Sequence, residues 1–161
     1  MNHFPNRETV ERLRRDYPAG CRIALDCMDD PYVSIPAGSQ ATVWGVDDAG
    51  SLLCSWDMGS SLNVCYGADS AHKIATEAEA KITLDWWGKH QPETDCTCPR
   101  CGAPMPGKKV HHALSRRADI YICDTDGMNE ALEDAGLAEK KPLMQWYAIQ
   151  QAQNGGGKWN G

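Results

Sequence analysis

Cys98-Pro99-Arg100-Cys101-Gly102 sets two thiols at the ends of a four-residue turn closed by a glycine. Both sulfurs of a Cys-x-x-Cys turn reach one cation, and the glycine after it lets backbone N–H groups point at them. Further along, Cys123-Asp124-Thr125-Asp126-Gly127 repeats the spacing with a carboxylate in the last place. The two halves predict a zinc-ribbon-like module with ligands Cys98, Cys101, Cys123 and Asp126, against the alternative of a ribbon that has lost its metal and rests on packing alone. Cys96 and the loop histidines His111 and His112 are rival fourth ligands. Three thiolates and one carboxylate make a harder, weaker site than four thiolates. An open position on the ion would activate water, but no Glu or His stands at helical spacing as a base. Phosphate-loop, dinucleotide, nucleophile-elbow and His-Glu-x-x-His motifs are all missing, so the chain reads as non-enzymatic.

The same segment is basic. Residues 98–123 hold five bases and one acid, whereas residues 1–97 hold 15 acids and 8 bases, and the chain carries a net −6. Arg100, Lys108, Lys109, Arg116 and Arg117 are candidate contacts to nucleic acid or to an acidic partner, against the plainer reading of a solvated loop face. For Arg116 and Arg117 the default is pairing with Asp119 or Asp126. The acidic whole argues against indiscriminate nucleic-acid coating. Asp29-Asp30 and Asp47-Asp48 lie in Pro- or Gly-marked turns, where Asp serves the backbone. Among the aromatic residues Trp44, Trp56, Tyr32 and Tyr66, we expect Trp56 in the core and Tyr32 exposed as a partner contact.

These residues need elements to hold them. Residues 7–16 predict a short helix, with Val10, Leu13 and Tyr17 on one face and Asn6 as its cap. From residue 21 the period becomes two. Five short strands follow, over "CRIALDCM", "QATVWGVDD", "SLLCSWD", "SSLNVCY" and "AHKIAT", with a turn at Asp47–Gly50. That density of strands and turns predicts a small, strongly bent barrel. The fold class is α+β: an N-terminal helix and five-stranded barrel over 1–77, a linker over 78–97, the zinc-ribbon-like module with C-terminal helices over 98–152, and a flexible tail over 153–161. Within 78–97, "AEAKITLDWWGKH" reads as a further strand or an irregular segment. "MNEALEDAG" predicts a helix stopped by Gly136, and "PLMQWYAIQQAQ" another, with Pro142 in its first turn and a stripe of Leu143, Trp146, Tyr147 and Ile149.

The first twenty residues show no apolar secretory segment, and no apolar run approaches a membrane span. The expected compartment is the reducing cytoplasm, where the eight cysteines stay free. Cys21, Cys27, Cys54 and Cys65 read as packing residues in strands.

Residues 10–75 carry a resemblance. Tyr17-Pro18 with Gly20, Met28-Asp29-Asp30-Pro31, Pro36 with Gly38, Val46-Asp47-Asp48, and Trp56-Asp57 with Gly59 resemble an uncharacterised family of SH3-like small barrels carried by phages and conjugative elements of Gram-positive bacteria. "HALSRRADIYIC" and "NEAL" resemble a module found beside such barrels, which has a final Cys where this chain has Asp126. The resemblance implies a mobile-element protein in a bacterial host cell and carries no biochemical activity. The expectation that follows is a non-enzymatic zinc-binding interaction protein. Its partner would be a host or element protein, in an anti-defence (anti-CRISPR-like) role against a nuclease complex. The alternative is a nucleic-acid-binding accessory protein that uses the basic segment.

Overall fold

The computed structural model describes residues 4–32 and 34–153. The chain divides into two compact units, with breaks between Ile74 and Ala75 and between Gln151 and Ala152. Most of the expected tail, residues 154–161, lies outside the described residues.

The first unit opens with α1 (Arg7–Asp16), where Asn6 Oδ1 accepts from the Thr9 amide at 2.8 Å, as its cap position predicts. Four antiparallel strands follow: β1 (Arg22–Cys27), β2 (Gln40–Val46), β3 (Leu52–Trp56) and β4 (Ser70–Lys73), in the spatial order β3-β2-β1-β4. The α+β class holds, but the sheet is open and the five-stranded closure is absent among the described residues. The expected strand over 60–66 contributes only a single bridge between Val64 and Leu52. Cys21, Ile23, Leu25, Val43, Cys54 and Trp56 alternate into one core. Trp56 is buried, with Nε1 donating to Leu62 O at 2.7 Å, and Tyr32 is 92% exposed. Asp47 and Asp30 both serve turns, accepting the amides of Ala49 and Ser51 and of Tyr32 respectively. Arg22 is fully buried and forks onto Asp57 at 2.5 and 2.7 Å.

The second unit begins with a helix where the sequence suggests a linker. Glu77–Lys89 form α2, closed by a reciprocal capping box between Thr76 and Glu79. Ala80, Thr83, Leu84 and Trp87 fall at helical spacing and are buried, so the adjacent Trp86 and Trp87 are successive positions on a helix rather than opposite faces of a strand. Then come β5 (Thr94–Thr97) and β6 (Pro104–Lys108), a hairpin, and β7 (Ala113–Leu114) with β8 (Tyr121–Ile122), a second short pair. α3 (Asp124–Asp134) starts four residues before the expected helix. The expected helix over 142–153 is broken. A 3-10 turn over Leu143–Gln145 gives way to extended backbone at Trp146 before α4 (Tyr147–Gln153). Leu143, Trp146 and Ile149 are buried, while Tyr147 stays partly exposed.

α2 positions the elements behind the site. Gly88 lies where any Cβ would fall 1.8 Å from the Asp119 carbonyl oxygen. Asp85 accepts the Asp119 amide at 2.8 Å, and the Gln91 side chain pairs with both backbone groups of Tyr121. The chain entering β8, and hence Cys123, is thereby held against the helix.

Candidate metal centre

The turn between β5 and β6 carries the first pair of sulfurs. Gly102 N donates to Cys98 O and Cys98 N to Ala103 O, both at 2.8 Å, which folds Cys98–Gly102 into a tight knuckle. Gly102 takes φ +83°, a value that L side chains rarely adopt, and a Cβ there would also meet the Tyr147 ring at about 3 Å.

The second pair is held differently from the sequence expectation. Cys123 is the N-cap of α3 and Asp126 lies in its first turn, so a helix end takes the place of a second β-knuckle. Gly127 is helical. Its missing side chain matters because a Cβ would fall 2.4 Å from that of Ala113, on β7. The glycine that looks like a turn residue is a close-packing residue.

One ligand atom from each of Cys98, Cys101, Cys123 and Asp126 lies within 4.8 Å of all the others, a group able to hold a metal ion. Asp126 Oδ2 lies 3.2 Å from Cys98 Sγ and 3.5 Å from Cys123 Sγ, and Cys101 Sγ lies 3.7 Å from Cys123 Sγ. The rivals stand apart: neither Cys96 nor His111 nor His112 joins the group. Cys96 is buried, His111 is exposed, and the His112 ring contacts Pro106 O at 2.8 Å.

The electrostatics suit a cation. Burial pushes the Cys98 thiol far up, against the pull of the Cys123, Cys101 and Arg100 amides. Burial and the Asp126 carboxylate push Cys101 up to about 11. Burial would raise Asp126 as well, but hydrogen bonds from Cys101, Cys98, Asn129 and Cys123 outweigh it and leave the carboxyl below its ordinary range. A divalent cation held there would have to displace the protons of the buried thiols.

The basic residues fare otherwise. Arg100, 4% exposed, lies inside the unit rather than on a face that a phosphate could reach. Its NH1 and NH2 donate to Glu130 at 3.1 Å and Glu133 at 2.6 Å, and its Cζ lies 6.0 Å from the Trp146 ring centroid. Arg117 pairs with Glu133 and Asp134, and Arg116 with Asp134 rather than with Asp119 or Asp126. Lys109 Nζ donates to Gln91 O at 2.9 Å, and Lys108 is exposed. Charge counting along the chain misses this network because its acids sit on α3 at helical spacing. Asp126, Glu130 and Glu133 form a buried stripe, while Met128 and Leu132 face outward. α3 is an amphipathic helix turned inside out.

Residues 6–74, within the first unit, match the model of a family described as a domain of unknown function (DUF4314). No curated protein and no solved structure matches the chain. No helix among the described residues is long and apolar enough to cross a membrane.

Proposed function

We propose that Cys98, Cys101, Cys123 and Asp126 form a structural zinc centre, and that the chain is a non-enzymatic binding protein built around it. The spacing of the four ligand atoms carries this reading. A tetrahedral zinc, about 2.3 Å from sulfur and about 2.0 Å from a carboxylate oxygen, sets edges of about 3.8 Å between sulfurs and about 3.5 Å from sulfur to oxygen. Three edges, 3.7 Å between Cys101 and Cys123 and 3.2 and 3.5 Å from Asp126 to Cys98 and Cys123, match it, and all four ligand atoms lie within 4.8 Å of one another. All four ligands come from protein, which is the closed arrangement of a structural ion rather than the open one of a catalytic ion.

The partner we propose is a protein of a bacterial host or of a mobile element, a defence nuclease complex being the target suggested by the acidic net charge of −6. The nucleic-acid alternative draws less support, since Arg100, Arg116 and Arg117 are all engaged by carboxylates.

Zinc per chain, measured by mass spectrometry on protein purified without added metal or chelator, tests the centre. One equivalent in the wild type and little in Asp126→Ala is the expected result; no zinc in either overturns the reading. Affinity capture from a defence-bearing bacterial lysate tests the partner class, and steeply salt-dependent DNA or RNA binding lost on Arg116→Ala/Arg117→Ala would favour the alternative.

A further inference from the structure

We infer that Arg100 is the positioning residue that makes a carboxylate, rather than a fourth thiolate, the fitting ligand at position 126. The inference rests on the metal reading above.

Asp126 divides its two oxygens between two tasks. Oδ2 faces the sulfurs of Cys98 and Cys123. Oδ1 faces away from them, towards Asn129 Nδ2 at 3.2 Å and Arg100 Nε at 3.5 Å. NH1 and NH2 of Arg100 both donate to Glu130 or Glu133, whereas Nε is buried and makes no hydrogen bond. A buried guanidinium N–H needs an acceptor, and Oδ1 of Asp126, its ion-pair partner at 3.5 Å, is within reach. Arg100 is itself part of the knuckle, between Cys98 and Cys101, and its carbonyl is pinned by the Tyr147 amide at 3.1 Å and by Lys141 Nζ at 3.2 Å. The same turn therefore supplies two ligands and the group that aims a third.

A cysteine at position 126 would bring one sulfur to the ion and nothing to Nε. The bidentate shape of a carboxylate lets one oxygen bind the ion while the other takes the guanidinium. This is the outer-sphere arrangement that orients metal ligands and whose loss costs about 10–100-fold in affinity. Asp126 is then a matched partner of Arg100 rather than a decayed cysteine.

Cobalt(II) titration of the full chain, read by its visible ligand-field and thiolate charge-transfer bands and by chelator competition, tests this on wild type, Arg100→Lys, Asp126→Cys and the double variant. Arg100→Lys keeps the charge but removes Nε together with the fork onto Glu130 and Glu133, so the two backgrounds are compared to separate the loss at Asp126 from the loss of that fork. We expect it to weaken cobalt binding by about 10–100-fold with Asp126 present and to shift the ligand-field bands. In the Asp126→Cys background we expect it to change affinity by less than about threefold, since no second oxygen remains to be oriented. Equal losses in both backgrounds would show Arg100 acting on the fold alone and overturn the inference. Should Arg100→Lys fail to fold, Asp126→Cys decides by itself. The inference expects affinity no greater than wild type despite the fourth thiolate, and a gain of about tenfold or more sinks it. A wild type that takes up neither cobalt nor zinc removes the metal reading and this inference together. A wild type that binds normally beside an unaffected Arg100→Lys removes only the inference.

Discussion

Arg100 and Glu133 meet at 2.6 Å inside the second unit, and the pair joins the knuckle to the last turn of α3. Both side chains are almost wholly buried. Removing one partner of a buried pair typically costs about 3–5 kcal/mol, and since Arg100 keeps Glu130 the lower end of that range is expected. Glu133→Ala should lower the unfolding midpoint accordingly in urea titrations of zinc-loaded protein. A loss under about 1 kcal/mol would mean that Glu130 and water suffice to compensate Arg100.

The same carboxylate makes a pH-dependent contribution with a defined sign. Hydrogen bonds from Arg100, opposed by burial and aided by Arg117 and the Lys141 amide, lower Glu133 from 4.5 to about 2. A group whose folded pKa is depressed stabilises the protein above its unfolded pKa and loses that stabilisation as pH falls through the folded one. The stability gap between wild type and Glu133→Gln should therefore be constant above pH ~5 and shrink steadily towards pH ~2. A gap that does not change over this range would contradict the assignment.

If the proposed zinc is present, its removal should act locally first. Structural zinc supplies folding free energy directly, and the second unit's two β pairs are short. Chelation should raise amide hydrogen exchange through residues 98–134 before it affects β1–β3, whose core is apolar and needs no ion. Simultaneous deprotection of both segments would refute a local role.

Gly88→Ala opposes two effects. Ala is favoured over Gly in a helix by about 1 kcal/mol. Yet its Cβ would fall 1.8 Å from the backbone oxygen of Asp119, an atom that cannot move aside as a side-chain tip can. Overpacking of this kind typically costs about 1–3 kcal/mol or more, so a net loss is expected in thermal unfolding. A stabilised variant would show that the 119 loop yields.

In the first unit, Asp57→Ala takes the carboxylate from the fully buried Arg22, whose guanidinium also donates to the neutral oxygens of Thr42 and Gln40. About 3 kcal/mol should be lost, and Arg22→Met/Asp57→Leu should recover much of it, as apolar replacement of a buried pair often does. Failure of the double variant to regain stability would mean that the pair also fixes the β1–β2 register.

How much can be read from the sequence follows how local the cause is. α1 is legible because its cap, face and stop all lie within a dozen residues or so. The clustering of Cys98, Cys101, Cys123 and Asp126 is legible because two three-residue spacings encode it. The closed barrel is not, because Ser60–Tyr66 has strand-like residues but pairs only at Val64, a matter of tertiary contact. α2 escapes a strand-period reading of Trp86-Trp87, although Thr76 and Glu79 spell a capping box. The start of α3 is hidden by a glycine that resembles a turn residue and in fact admits Ala113. Arg100 looks like a surface base because nothing local says that three acids of a later helix will turn inward to meet it.

The inverted helix α3 has a consequence for how this chain tolerates change over evolutionary time. In an ordinary surface helix the apolar positions are frozen and the charged ones drift. Here Asp126, Glu130 and Glu133 hold the interior, and Met128, at 63% exposure, and Leu132 stand outside. Across diverged copies, the acidic positions should stay fixed and the apolar ones should wander, so a hydropathy profile of this segment would point to the wrong half of the helix as its structural face.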